Sequence, residues 1–370
     1  MVPIRLEPRG RRSAVWTWCS PLLALGLPLI TAAVIFRIMG KDPAVALYTF
    51  FVRPLTTGSG RAELLVKAAP LTLIGIGLAL GFRANVWNIG AEGQYTMGAI
   101  AGGGLALWFF DSQSPLLLPA MMVAGVLGGM AWAAIPALLR TRFNASEILT
   151  SLMLTYVAQQ VLIYLVTGPW KDPEGYGFPQ SRLFSEWATL PILVPETRVH
   201  LGVAIAFLAV LLAWGLLART MIGFQLKVVG QAPRAARYAG FSQTALIWLS
   251  LLLGGAAAGL AGLLEVASTV GQLTPSISPG YGFTAIIVAF LGRLHPVGIL
   301  FAALVLALSY LGGEAAQISL GLPNAVTGIF QGILLFFLLG SDILILYRVR
   351  LRRRAPAAAA RAGAARTGVA

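Results

Sequence analysis

GFRANVWNIGAEGQYTMG, Gly81 to Gly98, sets Arg83, Asn85, Asn88, Glu92 and Gln94 between two long apolar runs of a chain that elsewhere spends polar residues sparingly. A glycine-rich polar stretch in that position is either a solvent loop or irregular backbone lining a cavity. The second is the only kind of irregular backbone that membrane depth tolerates. The cavity reading is the one adopted here, and the surrounding composition decides in its favour.

Of 370 residues, 58% are hydrophobic and 11% charged, and the mean hydropathy is +0.81. A soluble domain carries about 25% charged residues, so the chain reads as a polytopic membrane protein. Its net charge of +14 raises nucleic acid as a partner. The Lys and Arg residues, however, lie in the termini, in Arg219 to Arg237 and singly at the ends of apolar runs. That is the pattern of cytoplasmic flanks rather than of one nucleic-acid-binding face. Cys19 is alone, and His200 and His295 are the two histidines. An intramolecular disulfide is excluded, and neither a metal site nor a catalytic constellation is expected.

Three regions follow: a basic cytoplasmic N-terminus, 1–20; a membrane domain, 21–346; and a basic, alanine-rich cytoplasmic tail, 347–370, expected to be disordered. The membrane domain holds about ten candidate spans, near 21–36, 64–82, 95–110, 115–139, 148–166, 201–217, 245–264, 284–291, 297–311 and 325–346. Tyr48, Phe50 and Phe51 suggest an interfacial helix after the first span, and Glu314 to Leu322 reads as a turn. Between 168 and 199 lies the longest external segment, whose Trp170, Tyr176, Phe178 and Trp187 suit a membrane interface in preference to a docking surface. Gly77-x-x-x-Gly81, Gly98-x-x-x-Gly102 and Gly125-x-x-x-Gly129 allow close helix approach.

The eighth run is too short to span alone, so the polar stretch before it, broken by Pro275, Pro279, Gly280 and Gly282, must enter the membrane too. With both termini inside, parity places this break and the one at Arg83 on opposite sides. Spans two to five then mirror seven to ten, an inverted repeat with two discontinuous segments, and such breaks mark a transport site near the midplane.

Residues 219–242, RTMIGFQLKVVGQAPRAARYAGFS, are cytoplasmic by their cations. Pro233 suits the first position of a helix and Gly240 the position past its end, so Pro233 to Ala239 is expected to be a short helix. Its small face, with Ala235 and Ala236, is shaped to sit in another protein's groove.

NVWNIGAEGQ at Asn85 to Gln94, GQAPRAARYAGF at Gly230 to Phe241, SPGYGFTAIIVAFLGRLHPVG at Ser278 to Gly298 and GGEAAQISLGLP at Gly312 to Pro323 resemble the permease subunits of bacterial ABC importers. The resemblance is to the ribose, galactose and nucleoside permeases, nearest the nucleoside branch, with simple sugars or branched-chain amino acids as alternative substrates. It implies a second permease copy or a related permease, a cytoplasmic ABC ATPase, an extracytoplasmic binding protein and a bacterial inner-membrane location. It also implies that Gly230, Pro233, Arg234, Ala235, Ala236, Arg237 and Gly240 form the coupling loop. The chain lacks a Gly-x-x-x-x-Gly-Lys-Ser/Thr sequence. ATP is therefore expected on the partner, with no cofactor and no enzymatic activity in this chain.

Two rivals are weaker. An ion-coupled transporter needs an intramembrane carboxylate that cycles its proton, for which Glu92 and Glu265 are the candidates; a membrane enzyme needs a constellation that is missing. For the pathway, Asn85, Asn88, Glu92 and Gln94 could offer hydrogen bonds to a polyhydroxylated solute, together with Ser276, Ser278 and Tyr281 from the other half. Equally open is that these groups satisfy the broken backbone and one another.

Overall fold

The structure, a computed structural model, describes residues 4–8, 14–323 and 325–351. It forms two units, one of residues 1–31 with 332–370 and one of 32–331. In the first, strand β1 (Ile4–Pro8) pairs antiparallel with β2 (Tyr347–Leu351), Ile4 opposite Leu351 and Arg5 opposite Arg350. Both sequences alternate apolar and charged residues, a period-two signal that the basic composition of the termini hid. Of the expected disordered tail, residues 352–370 lie outside the described residues, as do residues 1–3 and 9–13 of the N-terminus.

The other described residues are helical or irregular, apart from one isolated antiparallel bridge between Ile192 and His200. The long helix α1 (Ala14–Ile38) leads to two short helices, α2 (Pro43–Leu47) and α3 (Arg53–Thr56), joined by a π-turn over Tyr48–Val52. Phe50 is buried there against Phe36 and Phe330, at centroid distances of 6.3 and 5.7 Å. Of the aromatic patch, Phe50 is thus core, while Tyr48 is 54% exposed. Next come α4 (Gly58–Arg83), α5 (Ala91–Trp108), α6 (Leu117–Phe143), α7 (Glu147–Thr167) and α8 (Leu201–Arg219). They are followed by α9 (Met221–Gln231), α10 (Pro233–Tyr238), α11 (Gln243–Glu265), α12 (Tyr281–Leu291), α13 (Pro296–Leu320) and α14 (Ala325–Leu346). Six of these, α4, α6, α7, α8, α11 with its π extension, and α13, are long and apolar enough to cross a membrane.

Burial ranks them. The apolar stretch of α4 is 83% buried, that of α11 61% and that of α13 56%, against 22% for α7 and 28% for α8, so α4, α11 and α13 are the inner helices. Glycine lets α11 serve as the hub: a Cβ on Gly98 of α5 would overlap the Gly259 backbone, and one on Gly129 of α6 would overlap the Gly255 carbonyl. Two of the expected glycine motifs therefore meet a third, Gly255-x-x-x-Gly259, which the sequence reading passed over.

One segment departs from expectation. The turn expected from Glu314 is helix up to Leu320, ending at Gly321 with φ +65°. Lys67 Nζ donates to Glu314 Oε1 at 2.9 Å, so the acid is paired on the helix and gives no reason to stop. Segment 168–199, expected to lie outside, is bonded along the second break. Ser181 N–H donates to Leu273 O (2.9 Å), Phe184 N–H to Gly271 O (2.8 Å) and Leu190 N–H to Ala267 O (2.9 Å).

Candidate functional site

Helix α4 stops when the N–H groups of Ala84 and Val86 both turn back to Gly81 O, each at 2.9 Å, while Asn85 takes φ +56°. The chain from Ala84 to Gly90 is then irregular, and α7 carries its backbone. Trp87 N–H donates to Glu147 Oε1 at 3.3 Å and Ile89 N–H to Ser151 Oγ at 3.2 Å. Glu147 is held in turn by Arg140 at the end of α6. Asn88 and Gln94 are 3% and 1% exposed and bond each other twice. Asn88 Nδ2 donates to Gln94 Oε1 (2.8 Å) and Gln94 Nε2 to Asn88 Oδ1 (3.1 Å), which also accepts from Gly90 N–H (3.0 Å). This reciprocal pair closes the loop, with its polar capacity largely used inside the chain.

On the other half, α11 runs into a π-turn over Val266–Val270 and leaves it at Gly271, φ +72°. The chain stays irregular until Gly280, φ +95°. Ser278 Oγ accepts from Gly280 and Tyr281 N–H groups, both at 3.1 Å, and so caps α12.

The two breaks meet. Glu92, in the first turn of α5, accepts from Gly282 N–H, in the first turn of α12, at 2.6 Å, with the Ser278 side chain and the Phe283 backbone as further partners. A Cβ on Gly282 would overlap the backbone of Glu92, so the N-terminal turns of α5 and α12 touch. An acid at the N-terminus of two helices is where the unpaired N–H groups favour it. Around this junction Tyr281 lies edge-on to Tyr95 (6.3 Å) and Tyr310 (5.4 Å). Tyr95 OH donates to Ile277 O at 3.4 Å.

Of the seven expected pathway residues, the structure brings Glu92, Ser278 and Tyr281 to one point. Asn88 and Gln94 pair beside it, Asn85 lies exposed at the far end of the loop, where it accepts from Trp87 Nε1 at 3.1 Å, and Ser276 is exposed. Several residues escaped the sequence reading: Tyr95, Glu147, Ser151, Gln159, whose Nε2 donates to Pro275 O, and Tyr310. Tyr95 and Tyr310 stand in the apolar helices α5 and α13, and Glu147, Ser151 and Gln159 share α7; only the partner across the fold gives each a role.

At the end of α4 the segment α9–α10 docks. Thr220 Oγ1 caps α9 by accepting from Gly223 N–H (3.3 Å), Pro233 opens α10 and Gly240, φ +76°, follows its end. Gly230 lies on the Arg83 carbonyl so closely that a Cβ would overlap it. Leu226, Val229 and Ala236 are buried in one cluster with Leu80, Val86 and Ile247. Ala236, expected on the face offered to a partner, is 2% exposed and turned into the chain's own core. The outward surface is Arg234, Ala235, Arg237 and Tyr238, the last 94% exposed. A cavity of about 60 Å³, lined among others by Asn85, Arg140, Val229, Pro233 and Gln243, separates α10 from the first break.

Residues 60–339 match the protein family described as branched-chain amino acid transport system / permease component. A glucose ABC transporter permease of Haloferax volcanii is 38% identical over 358 residues, covering 94% of this chain and 94% of its own. A guanosine ABC transporter permease of Bacillus subtilis is 30% identical, over 90% of this chain and 96% of its own. A nucleoside ABC transporter permease of Lactococcus lactis is 28% identical, over 86% and 89%.

Proposed function

Because the chain belongs to the branched-chain amino acid transport system / permease component family, we propose that it is the membrane-spanning subunit of an ATP-driven importer and that it passes nucleosides. The observation that carries this reading, within the matched region, is the junction of α5 and α12 at Glu92 and Gly282. Two interrupted helices meeting N-terminus to N-terminus place the ends of their dipoles and several polar groups at a point where a polar solute can be passed.

The mirrored halves support the same reading. Helices α4, α5, α6 and α7 have 26, 18, 27 and 21 residues, and α11, α12, α13 and α14 have 23, 11, 25 and 22. In each half a long helix is followed by a break and a shorter helix. The proposed topology has about ten spans in a bacterial inner membrane, with both termini and α10 in the cytoplasm and segment 168–199 outside. The outward face of α10 then docks on an ABC ATPase, which binds ATP, so this chain needs no cofactor and performs no hydrolysis. An extracytoplasmic binding protein delivers the solute, and a second permease completes the channel.

A sugar is the second reading, favoured by the 38% identity to the glucose permease. Both solutes carry a polyhydroxylated ring, so the chemistry asked of the pathway is shared. The test is uptake by proteoliposomes holding the chain with its ATPase, supplied with binding protein and labelled guanosine or glucose. ATP-dependent guanosine uptake is expected. Glucose uptake alone selects the second reading, and uptake without any ATPase overturns both.

A further inference from the structure

Where α5 ends and segment 168–199 begins, the chain forms an open cleft of about 350 Å³ lined by Gly104, Leu107, Trp108, Trp170, Lys171 and Arg182, with Pro169 and Pro173. That volume is within the usual range of small-molecule sites. Its lining holds two cations and no acid, and neither cation has an ion pair among the described residues. Arg182 is held in place over the Phe110 ring, 5.7 Å from its centroid. Trp170 lies across Gly104, where a Cβ would come within 2.6 Å of the indole.

Depth narrows the choice of ligand. Gly104 is four residues inside the end of α5 at Trp108, so the floor of the cavity reaches about 6 Å below the helix end. Trp108 is 85% exposed, at the end of an apolar helix where an indole suits the boundary between hydrocarbon and headgroups. Trp170 follows closely on the end of α7 at Thr167. The cavity is thus apolar and aromatic toward its floor, with the Trp170 indole over Gly104, and carries its two cations on exposed residues, a pairing that suits the glycerol and phosphate of a phospholipid.

We propose that this cavity binds the headgroup of an anionic phospholipid, with Lys171 and Arg182 on the phosphate and Trp108 and Trp170 beside the glycerol. The inference rests on the reading that α5 and α7 cross a membrane, but not on what the protein transports. A docking protein would meet the outer tip of the segment first, where Tyr176 is 98% exposed. It would have no use for a cleft that reaches down between helix ends.

The experiment is native mass spectrometry of the complete transporter, released from nanodiscs of phosphatidylcholine containing a minority of phosphatidylglycerol. The wild type is expected to retain phosphatidylglycerol out of proportion to its share, and less so at high salt. The K171Q/R182Q variant should lose about five-fold of that preference per cation removed, with phosphatidylcholine retention and uptake in pure phosphatidylcholine unchanged. Equal retention of the two lipids by the wild type overturns the proposal, and needs no variant to fold. Unchanged lipid retention in the variant, with a raised KM for the loaded binding protein, would also overturn it by assigning the surface to that protein. Loss of uptake from wild-type vesicles bears on the transport reading alone.

Discussion

Glu92 serves two helices at once, since it lies in the first turn of α5 and accepts from the first turn of α12. Glu92→Gln keeps an acceptor and should leave the fold intact. Glu92→Ala leaves Gly282 N–H buried without its partner, a loss of about 1–3 kcal/mol, to be read as a lower midpoint in thermal unfolding of the detergent-solubilised protein. Equal midpoints for both variants would show that the junction does not hold the breaks together. His200 gives a second residue-scale outcome. It caps α8 by accepting from Gly202 N–H at Nδ1 (3.1 Å), while its buried Nε2 has no partner among the described residues. Burial, then the nearby Arg198, push its pKa down to about 4. The unfolded chain takes up a proton near pH 6.5 that the folded chain refuses. Stability from the neutral ring is therefore complete above that pH and is lost as pH falls toward 4. Protonation would also remove the acceptor on which the cap depends. His200→Asn, which keeps a capping side chain, should flatten this acid limb; an identical limb in the variant would remove His200 as its cause.

Among elements, α10 separates what the sequence could tell from what it could not. Its existence and ends were legible because Pro233 and Gly240 are strong punctuation. Its orientation was not, because PRAARY is six residues of mostly small or mixed character and shows no periodicity; only the cluster of Leu226, Val229 and Ala236 with the end of α4 fixes the inner face. The two substitutions that would have seemed equivalent should now differ. Ala236→Glu places a carboxylate in that cluster at a cost of about 3–5 kcal/mol for an uncompensated charge, and should reduce the amount of folded protein in the membrane. Arg237→Glu lies on the exposed face and should leave that amount unchanged while abolishing ATP-driven uptake. Membrane levels read by immunoblot, set beside uptake, distinguish the two. Full uptake by Arg237→Glu at normal levels would remove α10 from the coupling. Helix α13 teaches the complementary lesson: Glu314 read as a turn because its partner, Lys67, is 247 residues away in sequence.

At the scale of the molecule, a hub helix and two breaks organise the larger unit. The breaks were legible, since glycine, proline and polar residues interrupt otherwise apolar runs. The hub was not, because Gly255 and Gly259 reveal their use only against Gly129 and Gly98. Nor did the sequence divide the candidate pathway residues, a division that rests on partners: Asn88 and Gln94 bond each other twice inside the chain, whereas Ser276 is exposed. In the junction α5 and α12 touch at Glu92 and Gly282, so under the proposed pathway a solute passes only if the two helix ends separate. Single cysteines in a variant lacking Cys19 test this directly. A thiol at position 276 should react with a small polar reagent in the resting transporter, as its surface already faces outward. A thiol at 88, buried at 3%, should react only during ATP turnover, when the halves part and the loop from Ala84 to Gly90 is pulled open by α10. If position 88 labels equally with and without ATP, the loop is permeable at rest and the junction is no gate. If it never labels while uptake proceeds, the solute passes elsewhere, and the pairing of Asn88 with Gln94 serves only to hold the broken backbone together.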